Sequence, residues 1–197
     1  MLFMERENLP GCVIMAAGNA RRFGENKLAA QLHGRSLILR ALEAVPTEKL
    51  ERVVVVTQYP EVMHLAGQFR FAAVHNPHPD YGISHTIRLG LTSLRDCSGV
   101  LFLVSDQPLL RRESVAALVD FWRSQPEKIA ALGHDGVRGN PCLFPARFFP
   151  ELMELQEDHG GSTVIRRHSE DLALLETDPA ELSDVDTAEA LEHLKSR

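Results

Sequence analysis

The chain has 197 residues, of which 44% are hydrophobic and 24% charged, and a formal net charge of −6. That balance suits a single globular domain over residues 1–197, and the acidic sum argues against non-specific binding to nucleic acid or anionic lipid. Cys12, Cys97 and Cys142 are odd in number and scattered. They fit neither a disulfide framework nor close metal-ligand spacing, so a reducing cytoplasm is the expected setting. Met1 to Pro10 does not read as a secretory leader, and no apolar run reaches the ~18 residues a bilayer span requires.

In chain order, short β-branched runs alternate with segments of helical period. Gly11 to Ala16 reads as the first strand, and Ser36 to Val45 as a helix with Ser36 as its N-cap. Val53, Val54, Val55 and Val56 form an unbroken apolar row within Arg52 to Thr57, the pattern of a strand covered on both faces. Pro60 to Gly67 reads as a helix, Phe71 to His75 as a strand stopped by Asn76-Pro77, and Ser84 to Leu94 as a helix. Gly99 to Val104 is the next strand, closing at Ser105-Asp106, and Arg111 to Trp122 is an amphipathic helix. Strands are expected at Lys128 to Leu132, Pro141 to Phe144 and Leu172 to Glu176. Helices are expected at Ala146 to Leu155, Ser162 to His168 and Thr187 to Leu194. The alternation predicts an α/β fold: a three-layer α/β/α sandwich with a mostly parallel mixed sheet. In such sheets ligands bind beyond the carboxyl ends of the strands, so the residues just after each strand carry the functional interest.

The segment after the first strand runs from Ala17 to Lys27 and contains Gly18, Arg21, Arg22 and Gly24. Its glycines permit close backbone approach, and its cationic side chains suit phosphate oxygens. It is neither a dinucleotide fingerprint nor a P-loop. Composition alone leaves a solvated basic turn equally open.

Met15-Ala16-Ala17-Gly18, Arg22-Phe23-Gly24 and Lys27-Leu28 together resemble the signature loop of nucleotidyltransferases with the glycosyltransferase A-type, Rossmann-like fold. The closest likeness is to the molybdenum cofactor cytidylyltransferases. Further segments keep the same order: Asn76-Pro77 with Gly82, Ser84, Arg88 and Gly90; Ser105-Asp106-Gln107-Pro108; Gly139-Asn140-Pro141 with Phe144; and Asp184-Val185-Asp186-Thr187. The likeness covers residues 11 to about 194. Phe23, His85, Gln107, Asn140 and Ala188 stand where the family more often has other residues.

The resemblance implies transfer of CMP from CTP to the phosphate of molybdenum-bearing molybdopterin, with magnesium, or alternatively manganese, as cofactor. A recipient molybdoenzyme or its chaperone would be a partner. It implies catalytic roles for Lys27, Asp106 and Arg22. Ala16, Ala17, Gly18, Arg22, Gly24, Lys27, Asn76, Gly82, Ser84 and Arg88 would bind the nucleotide. Gly139, Asn140 and Pro141 would receive the acceptor, with Gly161 and Ser162 as an anion site at a helix start. Asp106 would bind the metal, with Asp184 or Asp186 as a second carboxylate. Each has a plainer reading: Asp106 as a cap near Leu109 to Arg111, Asp186 as the cap of the last helix, Ser84 as a cap, Lys27 as a solvated side chain, and Gly139 to Pro141 as a turn. Rival functions are a GTP-using or other-acceptor enzyme of the same fold, and a non-catalytic carrier of the molybdenum cofactor.

Overall fold

The computed structural model describes residues 9–19 and 27–196. Arg21, Arg22 and Gly24, named above for phosphate binding, lie outside the described residues.

The central sheet contains β1 (Gly11–Ala16), β4 (Val53–Thr57), β5 (Ala72–His75), β6 (Gly99–Val104), β7 (Ile129–His134), β8 (Val137–Pro145) and β9 (Leu172–Glu176). Their spatial order is β5-β4-β1-β6-β8-β7-β9. All run the same way except β8, which pairs antiparallel with both β6 and β7. A two-residue ladder, β2 (Gln31–Leu32) with β3 (Arg35–Ser36), stands apart from the sheet.

The helices are α1 (Leu37–Glu43), α2 (Pro60–Gln68), α3 (Ile83–Thr92), α4 (Arg112–Arg123), α5 (Phe149–Glu154), α6 (Gly161–Arg167) and α7 (Ala188–Lys195). None is long and apolar enough to cross a membrane. Ser36 caps α1 as expected, its Oγ accepting from Leu39 N at 3.3 Å.

The valine row shows why the layers form. Successive strand side chains point to opposite faces. Val53 and Val55 therefore join one buried cluster with Ile38 and Leu42 of α1 and Leu118 and Trp122 of α4. Val54 and Val56 join the other, with Ile87 and Leu91 of α3 and Val164 of α6. Each face is covered by helices, and the result is the α/β/α sandwich anticipated from the alternation.

Two local expectations need correction. The stretch before Pro141 is not a loop: β8 begins at Val137, so Gly139, Asn140 and Pro141 lie within a strand rather than a turn. The turn sits earlier, at Asp135 (φ 48°) and Gly136 (φ 76°), a two-residue hairpin whose positive dihedrals explain the Asp-Gly pair. Ser84 does not cap α3. Gly82 occupies that position, and the Ser84 Oγ is buried with no hydrogen-bond partner.

Candidate active site

The carboxyl edge of the parallel strands carries a cavity of about 560 Å³. Three of the chain segments that line it carry Lys27, Asp106 and Asp186. The first follows β1, where Ala17, Gly18 and Lys27 line the wall. The second follows β6 and supplies Ser105 and Asp106; the third is the approach to α7, which supplies Asp186.

Each segment is fixed by hydrogen bonds. Gln58 Nε2, just beyond β4, donates to Ala17 O at 2.9 Å and to Asn19 Oδ1 at 2.8 Å, and the Tyr59 hydroxyl donates to Gly18 O at 3.1 Å. The Ser105 hydroxyl donates to Met15 O at 2.9 Å, tying the end of β6 to β1. Val185 N donates to Asp106 O at 2.8 Å, and the Val185 side chain is fully buried with Leu32, Leu37 and Leu191. Val185 thereby anchors the two aspartates that flank it.

Lys27 Nζ lies 3.0 Å from Asp106 Oδ2 and 3.0 Å from Asp186 Oδ1. The two carboxylates thus converge on one cation. Neither serves as a cap. α4 starts at Arg112 after Arg111, with no side-chain cap, and α7 is capped by Thr187, whose Oγ1 accepts from Ala190 N at 3.2 Å. The reading of Asp186 as the capping residue is therefore corrected: Thr187 does that work and leaves Asp186 facing the cleft.

Asp184 points elsewhere. With Gln107, Arg138, Gly139 and Asn140 it lines a second cavity of about 460 Å³ under the β7–β8 hairpin. Its side chain reaches solvent, yet partial burial, and after it the Asp106 carboxylate, push its pKa above the ordinary aspartate value, against a hydrogen bond from Gln107.

The other sequence-derived residues divide. Gly82 lines the first cavity at φ 81°, and a Cβ there would stand 2.3 Å from the backbone of Glu157. Ala16 is buried in β1 between Met15 and Ala17, which both line the first cavity. Asn76 is buried and occupied: Nδ2 donates to Thr86 Oγ1 at 3.2 Å, while Oδ1 accepts from His78 N at 2.9 Å. It shapes the turn after β5 and leaves Thr86 on the cavity wall. Arg88 donates to Leu155 O and opens on a smaller depression that shares Asp80, Gly82 and Asp158 with the first cavity. Gly161 packs under the Phe144 ring, 2.8 Å from where a Cβ would be, and neither it nor Ser162 lines either cavity.

Sequence reasoning missed Asp80 and Asp158. Both lie on connections far from β1 in sequence, yet both line the first cavity. Among the described residues that cavity therefore presents four carboxylates, those of Asp80, Asp106, Asp158 and Asp186, and one ammonium, that of Lys27. The pair that converges on Lys27, Asp106 and Asp186, suits a hard divalent cation such as magnesium or manganese, which takes one or two carboxylates and leaves its other positions to phosphate and water.

The sheet order and the cleft at its carboxyl edge place the protein among the α/β nucleotidyltransferase folds. The family model of the MobA-like NTP transferase domain matches residues 12–172, and the chain belongs to that family. Purine catabolism protein PucB of Bacillus subtilis (strain 168) is 28% identical over 193 residues, which cover 90% of this chain and 91% of that protein. Rv0371c of Mycobacterium tuberculosis H37Rv superposes with a TM-score of 0.80 at 17% identity, covering 96% of this chain and 99% of that one. Its complex with manganese gives a TM-score of 0.73 at 16% identity, with coverage of 96% and 98%. CMP:2-keto-3-deoxy-manno-octonic acid synthetase complexed with CTP gives a TM-score of 0.73 at 14% identity, covering 95% of this chain and 97% of that one. These structural likenesses carry the fold.

Proposed function

We propose that the chain transfers CMP from CTP to the phosphate of molybdenum-bearing molybdopterin. An acceptor phosphate oxygen attacks the α-phosphorus of CTP, the bond from the α-phosphorus to its bridging oxygen breaks, and pyrophosphate leaves. Both reactants are anionic, so catalysis is chiefly alignment and neutralisation of charge. The observation that carries the reading is the convergence of Asp106 and Asp186 on Lys27 in the cavity that Ala17 and Gly18 also line.

Asp106 and Asp186 are the residues proposed to hold the divalent cation, with magnesium as first choice and manganese as alternative. When bound, the ion neutralises phosphate charge and stabilises the leaving pyrophosphate. Lys27 leaves its carboxylate partners for the phosphates, a task that suits a mobile point charge on a flexible stem. Ala17 and Gly18 present backbone to the nucleotide, and Arg22 and Gly24 are assigned to the same nucleotide. Asp184 is assigned to the acceptor side. It lines the second cavity with Gly139 and Asn140, and Gln107 joins that cavity to the Asp106 strand end. CTP is favoured over GTP by the Ala16-Ala17-Gly18 run and its likeness to the cytidine-using branch. The fold neighbour solved with CTP agrees with a pyrimidine nucleotide, and Rv0371c with manganese agrees with a divalent ion. A recipient molybdoenzyme or its chaperone is the partner this reading implies.

The test is pyrophosphate release with magnesium and each nucleoside triphosphate, with and without molybdenum-loaded molybdopterin. Release with CTP and acceptor alone is expected. Turnover confined to GTP moves the protein to the guanosine-using branch. No release with any nucleotide, alongside tight pterin binding, makes it a carrier.

A further inference from the structure

One carboxylate outside the cleft is more deeply buried than any that lines it. Glu181, at 2% exposure, lies in the short turn Pro179–Leu182 that precedes the Asp184–Asp186 segment. Five donors converge on it. Arg111 gives its backbone N–H at 2.9 Å, Nε at 2.9 Å and Nη2 at 2.5 Å; the Ser114 hydroxyl donates at 2.9 Å and the Thr177 hydroxyl at 3.2 Å. Burial alone would raise the Glu181 pKa, but the hydrogen bonds from Arg111 and Ser114 hold it below the ordinary glutamate value.

A buried ion pair is weak evidence for stability, because well-packed apolar groups often do as well. What this arrangement supplies is a fixed place for a chain segment. Arg111 and Ser114 belong to the entry of α4, which follows Asp106 on the same strand exit. Glu181 fastens the incoming segment to that entry. The next residue, Leu182, accepts from Gln107 Nε2 at 3.2 Å, and Val185 N then reaches Asp106 O at 2.8 Å. Three attachments in five residues thus hold Asp186 opposite Asp106 across Lys27.

We propose that Glu181 is a positioning residue for the cation-binding pair, acting through the 182–186 segment on the separation of Asp186 from Asp106. This rests on the assignment of those two aspartates to a divalent ion.

The test is Mn²⁺ binding to the full chain without nucleotide, read from the free-ion electron paramagnetic resonance signal, together with thermal melting. Glu181→Gln keeps the side-chain shape and removes the charge; about tenfold weaker Mn²⁺ binding is expected, the low end of what outer-sphere partners of metal ligands cost. Ser114→Ala removes a single donor and should weaken binding less while leaving the protein fully folded. Arg147→Met removes a surface pairing with Asp171 on the other side of the molecule; it should shift melting without changing Mn²⁺ affinity. Glu181→Gln and Ser114→Ala both within twofold of wild type, while Asp106→Asn weakens binding, would overturn the positioning role alone. Wild-type protein that binds no Mn²⁺, or Asp106→Asn that binds as wild type, would overturn the cation assignment and this inference with it.

Discussion

Lys27 and Asp106 are 79 residues apart in sequence and 3.0 Å apart in space. Their side chains are only 13% and 28% exposed, whereas Asp186, the third member, is 60% exposed. The lysine is thus an internal counter-ion for two carboxylates at the mouth of a cleft.

Removing that counter-ion should have opposite effects on two measurements. Lys27→Met leaves two aspartates without their cation, so Mn²⁺ binding in the absence of nucleotide should tighten severalfold, by relief of like-charge repulsion. Pyrophosphate release should fall by about 10²–10³-fold, the usual cost of losing one preorganised charge at a transferring phosphoryl group. Weaker Mn²⁺ binding in the variant would mean that Lys27 props up the carboxylates and does not compete for them.

Asp106→Asn should lower kcat by about 100-fold or more. The melting temperature should stay within a few degrees of wild type. The backbone carbonyl of residue 106 still accepts from Val185 N, and the side chain is not packed in the core. A wild-type rate would remove Asp106 from the chemistry.

Gly82 allows a sharper stability forecast. Its φ is 81°, and the Glu157 backbone lies 2.3 Å from where a Cβ would stand, so there is no room for a side chain. Gly82→Ala should destabilise by about 1–3 kcal/mol, in the range set by backbone strain at such positions. Urea unfolding measures it directly, and an unchanged midpoint would contradict the close approach.

Much of the fold was legible because burial on two faces leaves a mark on sequence. The Val53–Val56 row named a strand covered on both faces, and the amphipathic run Arg111 to Trp122 named a helix. The hairpin was less legible. Arg138, Gly139, Asn140 and Pro141 do not alternate in polarity, and Gly139 to Pro141 fall where the β7–β8 register shifts, between the pairs Gly133–Arg138 and Ala131–Cys142. In the site, Lys27, Asp106 and the Asp184/Asp186 pair follow from the resemblance to the nucleotidyltransferase family, Asp106 also from its place at a strand end. Asp80 and Asp158 do not, since only tertiary packing brings their loops over β1. The sequence left Asp184 and Asp186 open as second carboxylate; Thr187, one position later than expected, caps α7 in place of Asp186.

Acid titration separates the Glu181 network from the rest of the protein. Hydrogen bonds hold its folded pKa below the ordinary value of 4.5. Its contribution to stability is therefore complete above that value and is lost as pH falls through the depressed folded value. Wild type should be more stable than Glu181→Gln at neutral pH, and the gap should close as pH drops below 4.5. A gap that stays constant down to acid-induced unfolding would show that the carboxylate charge contributes nothing.

The most direct measurement is an anomalous difference map from crystals grown with Mn²⁺ and a non-hydrolysable CTP analogue. A single strong peak at bonding distance, about 2.1 Å, from both the Asp106 and Asp186 carboxylates, with Lys27 turned to the phosphates, is the predicted result. A peak coordinated away from Asp106, or an analogue bound outside the cleft between Gly18 and Asp186, would contradict the account.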